Sequence, residues 1–133
     1  DVSAELFRLA PEGIDTYFDN VGGPVSDAVF DNLADKARIA VCGQISQYNA
    51  IDQPQGPRNL SVLLRTQSTA QGFLVYEFER QYEVGRTRLA RWIKEGRLKY
   101  REDIVDGFEH APSAFIGLLR GENFGKLLVK ISD

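Results

Sequence analysis

The chain has 133 residues, 43% apolar and 26% charged, enough for one domain whose core needs no metal or disulfide staple. Its 16 Lys and Arg stand against 19 Asp and Glu, a net charge of −3 that leaves no basic excess to neutralise a nucleic-acid backbone. No apolar run approaches the roughly 18 residues of a membrane-crossing helix. A single cysteine, Cys42, rules out an internal disulfide, and Cys42 with the single histidine, His110, cannot build a structural zinc site alone. These features read as a soluble protein of a reducing, cytoplasmic compartment. The chain contains no methionine and opens at Asp1 in helix-forming sequence, so it reads as a piece of a longer protein.

In chain order, Ser3–Ala10 predicts a short helix stopped by Pro11 and Gly13. Ile14–Phe18 is rich in β-formers and runs into the turn-prone Asp19-Asn20-Val21-Gly22-Gly23. Pro24 suits a first helical position, and Val25, Ala28, Val29 and Leu33 follow at helical spacing, which predicts a helix over 24–34. Arg38–Cys42 is a second strand, ended by Gly43. Residues 49–58, with Pro54, Gly56 and Pro57, read as an irregular loop, and Leu60–Leu64 as a short helix. Gln71–Tyr76 predicts a third strand, with Phe73, Leu74 and Val75 buried in it. A long amphipathic helix is expected from about Glu79 to Glu95, packing through Tyr82, Leu89, Trp92 and Ile93 and ended by Gly96. Lys99–Val105 is a fourth strand, Pro112 opens a helix ended by Gly121, and Gly125–Ile131 closes the chain as a strand. The order is α/β throughout.

Strand, three-turn helix and strand over 14–42 make a βαβ unit, whose strands are parallel and whose crossover is right-handed. Both strands then point the same way. Asn20 and the stretch Gly43-Gln44-Ile45-Ser46-Gln47-Tyr48 emerge on one carboxyl-end rim, where open α/β sheets bind ligands. On the residues alone, Asn20 is equally a turn residue bonding its own backbone. Gly22 and Gly23 read as permissive positions for a tight turn. Cys42 reads as a small buried apolar residue, and Ser46 either binds a phosphate or stabilises its loop. Tyr48 is by default an amphipathic loop tyrosine, His110 a helix-entry residue, and the arginines of 86–91 a solvated face.

The string Tyr17-Phe18-Asp19-Asn20-Val21-Gly22-Gly23 resembles a motif of the medium-chain dehydrogenase/reductase superfamily. The branch it is similar to holds the zinc-independent, NADP-dependent double-bond reductases, among them prostaglandin, alkenal and curcumin reductases. Arg38-Ile39-Ala40-Val41-Cys42-Gly43-Gln44-Ile45-Ser46-Gln47-Tyr48-Asn49 matches a second segment of that branch. Gln71-Gly72-Phe73, Trp92–Gly96, Tyr100-Arg101-Glu102, Glu109–Phe115 and Asn123-Phe124-Gly125-Lys126 follow in the same order. The likeness covers about residues 12 to 131, with several motifs in register. It departs in length: no glycine-rich pyrophosphate turn of the G-x-G-x-x-G kind follows a strand here, and a whole member of the branch spans two domains.

The resemblance implies that residues 1–97 are the second half of a Rossmann-type, doubly wound nucleotide-binding domain. Residues 98–133 would be a segment returning to a catalytic domain. It implies NADP as cofactor, contacted by Asn20, Cys42, Gly43, Ser46, Tyr48, Phe73, Leu74, Val75 and Asn123. It makes Tyr48 the candidate catalytic residue, its phenol O–H donating to the nicotinamide ribose or to a developing enolate oxygen. The implied reaction is reduction of the C=C bond of α,β-unsaturated ketones or aldehydes by the intact, homodimeric protein, with the 133 residues alone inactive. Two alternatives stand beside it: a zinc-independent quinone reductase of the same superfamily, and a non-catalytic dimerisation module.

Overall fold

The computed structural model describes residues 1–132. It divides into two compact units, Asp1–Glu79 and the chain from Arg80 onward. The first holds α1 (Val2–Leu9), β1 (Ile14–Asp19), α2 (Gly23–Asp31), β2 (Leu33–Val41), α3 (Leu60–Thr66) and β3 (Thr69–Gly72). Asp1 starts α1 as an N-cap, its carboxylate accepting the Ser3 amide at 3.0 Å, and Pro24 occupies the first turn of α2.

The three strands form one parallel sheet in the order β1-β2-β3. Side chains alternate across it. Tyr17 of β1 and Ala37, Ile39 and Val41 of β2 face a core completed by Leu6 of α1, Val29 and Phe30 of α2, and Val62 and Leu63 of α3. All three helices therefore cover the same face. Thr16, Phe18, Arg38, Ala40, Thr69 and Gln71 line the other, which is an open cleft.

The second unit contains α4 (Tyr82–Lys94), β4 (Glu102–Asp106), α5 (Ala111–Leu119) and β5 (Lys126–Lys130). β4 and β5 pair in parallel from Glu102↔Lys126 to Asp106↔Lys130, joined by α5, so this is a second βαβ crossover. Along α4, Tyr82 and Trp92 are half-buried while Leu89 and Ile93 stay exposed. The guanidinium carbons of Arg88 and Arg97 lie 6.0 and 5.7 Å from the Trp92 ring.

The α/β class and the parallel pairing hold, but several boundaries shift. α2 ends at Asp31 and β2 begins at Leu33, earlier than the expected Arg38. The reason is a register break: Ile14 pairs with Leu33 but Thr16 with Arg38, and the slack residues include Lys36 at φ 61°. A bulge of this kind hides a strand's start from any reading of alternation. β3 occupies Thr69–Gly72, not Gln71–Tyr76. Phe73 makes one last ladder bond, its amide to the Val41 carbonyl at 3.2 Å, and the chain then turns into a 3₁₀ segment over Val75–Gln81. Leu74 and Val75 are consequently exposed, not buried strand residues. The same segment delays α4 to Tyr82.

The core is small, so its members carry weight. Ile39, 2% exposed, sits at its centre, whereas Ile93 of α4 is 42% exposed. Ile39→Ala is expected to cost about 2–5 kcal/mol. Ile93→Ala is expected to cost clearly less in the same urea titration, because it removes less buried area and alanine is the better helix former.

Candidate functional site

β1 and β2 finish side by side, with Asp19 opposite Val41. The chain leaving β1 turns through Asn20–Gly23 into α2, and the chain leaving β2 runs through Cys42–Tyr48, with a 3₁₀ turn at Ile45–Gln47. Gly22 and Gly23 have φ of 70° and 59°, a conformation that side chains resist, and this lets the chain enter α2 directly.

The two segments are tied together. The Asp19 carbonyl accepts the Cys42 amide at 2.7 Å and the Gly43 amide at 3.1 Å. The Val21 carbonyl accepts both the Ser46 amide, at 3.0 Å, and the Ser46 hydroxyl, at 2.7 Å. Gly43 is where the side chains meet. A Cβ placed there would stand 3.1 Å from Asn20 Oδ1 and 3.2 Å from the Tyr48 hydroxyl oxygen. The Tyr48 hydroxyl also accepts the Gln44 amide at 3.4 Å. Asn20 and Tyr48, 28 residues apart in sequence, thus converge on one bare patch of backbone.

The remaining candidates fall as follows. Ser46 spends its hydroxyl on the Val21 carbonyl, which makes it a loop fastener. Cys42 is exposed and not buried, because Val41 before it takes the core-facing position and alternation turns Cys42 outward. Phe73 stacks edge-to-face with Phe18 at 5.9 Å and with Phe78 at 5.7 Å. These three rings belong to the open face of the sheet, whose cleft measures about 660 Å³. On the helix-covered face a second cleft of about 610 Å³ is lined by Gly22, Gln44, Ser46, Gln47, Pro54 and Asn59, among others.

Asn123 belongs to the second unit. Its side-chain amide donates to the Gly125 carbonyl at 2.7 Å, and the amides of Phe124 and Gly125 both donate to Asp103 at 2.7 Å. Those two amides, with Arg101 beside, hold the Asp103 carboxyl below its ordinary range. His110 stands at the entry of α5, its Nδ1 2.6 Å from the Asp106 carbonyl oxygen.

Sequence reasoning passes over Asp19. This residue is 3% exposed, and its carboxylate accepts Val21 N at 3.1 Å, Gly22 N at 2.9 Å, the Ser26 hydroxyl at 2.6 Å and the Tyr17 hydroxyl at 3.1 Å. Burial pushes its pKa up, but the hydrogen bonds from Ser26, Gly22, Val21 and Tyr17 together outweigh burial and hold it below the usual carboxylate value. Burial likewise raises the pKa of Tyr17, which keeps its proton to donate. The legible signal was Asp-x-x-Gly at a strand end ahead of a helix, a pattern that lets a carboxylate collect turn amides.

Residues 1–129, nearly the whole chain, match the zinc-binding dehydrogenase family. The chain belongs to that family. It is 42% identical to the NADPH-dependent curcumin reductase of Escherichia coli, over 99% of this chain and 40% of that protein. It is 45% identical to the NADP(+)-dependent 2-alkenal reductase of Nicotiana tabacum, over 99% of this chain and 38% of that one. Among solved structures, CurA of Vibrio vulnificus in complex with NADPH superposes with a TM-score of 0.89 at 43% identity, covering 98% of this chain and 40% of CurA. The chain thus spans about 40% of the length of these relatives. The zinc of the family's name finds no donor set here: among the described residues no three His, Cys, Asp or Glu side chains gather.

The depressed carboxyls set an acid limit. A group ionised more readily when folded contributes stability above its unfolded value, about pH 4, and loses it as pH falls through the lower folded value. Urea midpoints are expected to be flat at neutral pH and to fall below about pH 4. Asp19→Asn should lower the neutral midpoint and flatten that acid limb; an unchanged limb would remove Asp19 from this account.

Proposed function

We propose that this chain carries the nicotinamide-side half of an NADP(H) site, as part of a longer reductase of the C=C bond in α,β-unsaturated ketones and aldehydes. The observation that carries the reading is the convergence of Asn20 and Tyr48 over Gly43 at the carboxyl ends of two parallel strands. Support comes also from CurA, crystallised with NADPH, and from the curcumin and 2-alkenal reductases.

The residues present fit such a group. Gly43 has no Cβ to hold Asn20 and Tyr48 apart, so their polar ends can close over its backbone and face a ligand together. The Asn20 carboxamide offers one acceptor and two donors to a ribose or carboxamide edge. In this reading Cys42, Gly43 and Ser46 form the backbone floor, and Phe73, Leu74 and Val75 supply an apolar side. The same reading takes residues 1–97 as the nucleotide-binding half and 98–133 as the return segment.

The bound dihydronicotinamide supplies a hydride for the β-carbon of the enone. The protein's part is orientation and charge. As negative charge develops on the substrate oxygen, the Tyr48 O–H can donate to it, or donate to the ribose and hold the ring in register. A preset donor of this kind lowers the barrier without moving. The outer edges of β1 and β3 pair with no other strand among the described residues. Homodimeric assembly of the longer protein belongs to the same reading and is readable by light scattering. No described helix is long and apolar enough to cross a membrane.

Fluorescence titration with NADPH tests the site. Gly43→Val is expected to abolish binding, and Asn20→Ala and Tyr48→Phe each to weaken it about three- to tenfold, the worth of one net hydrogen bond. Binding of NADPH to Gly43→Val at the unaltered affinity would overturn the reading. In the longer reductase, Tyr48→Phe should lower kcat for enones beyond its effect on NADPH affinity if the phenol serves the oxygen.

A further inference from the structure

The two halves of the rim come from different strands, and their side chains are exposed. Something must fix their spacing. Six donors on four stretches of chain end on one residue, Asp19: Tyr17, Val21, Gly22 and Ser26 on its carboxylate, and Cys42 and Gly43 on its carbonyl. No Lys or Arg pairs with this buried carboxylate among the described residues. Burying an anion without a counter-ion is costly, and it is tolerated where every lone pair meets a donor. An ionised carboxylate is also the side chain of this size that only accepts. Tyr17, Val21 and Gly22 end on Oδ1 and Ser26 on Oδ2, so an amide here would lose the charge and force the Ser26 hydroxyl to accept where it now donates.

Asn20 sits inside this clamp. The residue before it is Asp19 and the two after it donate their amides to the Asp19 carboxylate, while the Asp19 carbonyl fixes the Cys42–Gly43 backbone that Asn20 Oδ1 and the Tyr48 hydroxyl approach. We propose that Asp19 is the positioning residue of the rim: without touching a ligand, it sets where the Asn20 carboxamide and the Gly43 backbone stand relative to each other. This deepens the NADP(H) reading and rests on it for its purpose, though the positioning itself is measurable with no cofactor present.

The test is Asp19→Asn, read by backbone and side-chain amide NMR and by NADPH fluorescence titration on the same 133-residue chain. The expected result is a shift of the Asn20 side-chain, Val21, Gly22, Cys42 and Gly43 amides, with hydrogen exchange at Val21 and Gly22 at least tenfold faster. Ala37 and Ile39, in the core, should keep their protection, and NADPH affinity should fall about tenfold. Rim resonances at their unaltered positions would overturn the proposal, and so would changes spread equally over Ala37 and Ile39, which would make Asp19 a residue of the fold alone. Should Asp19→Asn fail to fold, Tyr17→Phe with Ser26→Ala removes the two side-chain donors and leaves the charge. That pair is expected to move the Gly22 and Asn20 resonances, and an undisturbed rim would again overturn the proposal. A disturbed rim in a chain whose parent ignores NADPH would sustain the positioning role and sink the cofactor reading. An undisturbed rim with unaltered NADPH affinity would do the reverse.

Discussion

The end of the β1–β2 pairing is the constraint on which the site depends. Asp19 opposite Val41 is the last matched pair, and the Asp19 carbonyl then reaches past the sheet to two amides of the neighbouring chain. Had these strands been antiparallel, Asn20 and Gly43 would have left from opposite ends of the sheet. Parallel pairing is demanding, since it needs a crossover helix. Here α2 supplies it in nine residues, started by a glycine pair and Pro24. The cost of that tight entry is a row of turn amides with no helical partner, and the Asp19 carboxylate takes up two of them.

The second unit solves the same problem with the same chemistry. Asp103, near the start of β4, accepts the amides of Phe124 and Gly125 just ahead of β5. Arg101 lies over the Phe124 ring at 4.8 Å, and a Cβ at Gly125 would collide with the Arg101 carbonyl oxygen, so the glycine is required for the close approach. The two carboxylates differ in setting. Asp19 is buried and faces only neutral donors, while Asp103 is partly open and has Arg101 beside it. Each converts an irregular segment into a fixed one next to an asparagine, Asn20 in the first unit and Asn123 in the second.

Much of this was readable in the residues. The β-formers of Ile14–Phe18, the short strand Arg38–Cys42 ended by Gly43 and the helical spacing after Pro24 point to the βαβ unit, and with it to the common rim of Asn20 and Tyr48. Helix α5 is equally plain from Pro112 and Gly121, and β5 falls within the expected strand Gly125–Ile131. What escaped was whatever alternation does not encode. The start of β2 is masked by the bulge around Lys36. The run Phe73–Tyr76 has strand composition, yet the Glu77 amide bonds the Leu74 carbonyl at 3.1 Å and the chain turns away. Strand propensity there meant fitness for a half-covered surface. Cys42 is exposed for a simpler reason: Ile39 and Val41 already claim the inward positions, and period two leaves it outside.

Asp19 is the instructive omission, because its neighbour Phe18 shows what alternation does at a strand's last step. Phe18 is 60% exposed and meets Phe73 on the open face, while Asp19 is buried on the helix side. One dipeptide therefore serves two surfaces: an aromatic wall on one side of the sheet and the anchor of a polar lip on the other. A slip of one residue in the β1 register would exchange them, placing a carboxylate against aromatic rings and a phenylalanine among amide donors. The second placement is the costly one, since it buries a phenylalanine where the turn amides and the Ser26 hydroxyl would be left without their acceptor. The chemistry of the rim and the register of the strand thus enforce each other, and the site is as well specified as the fold that carries it.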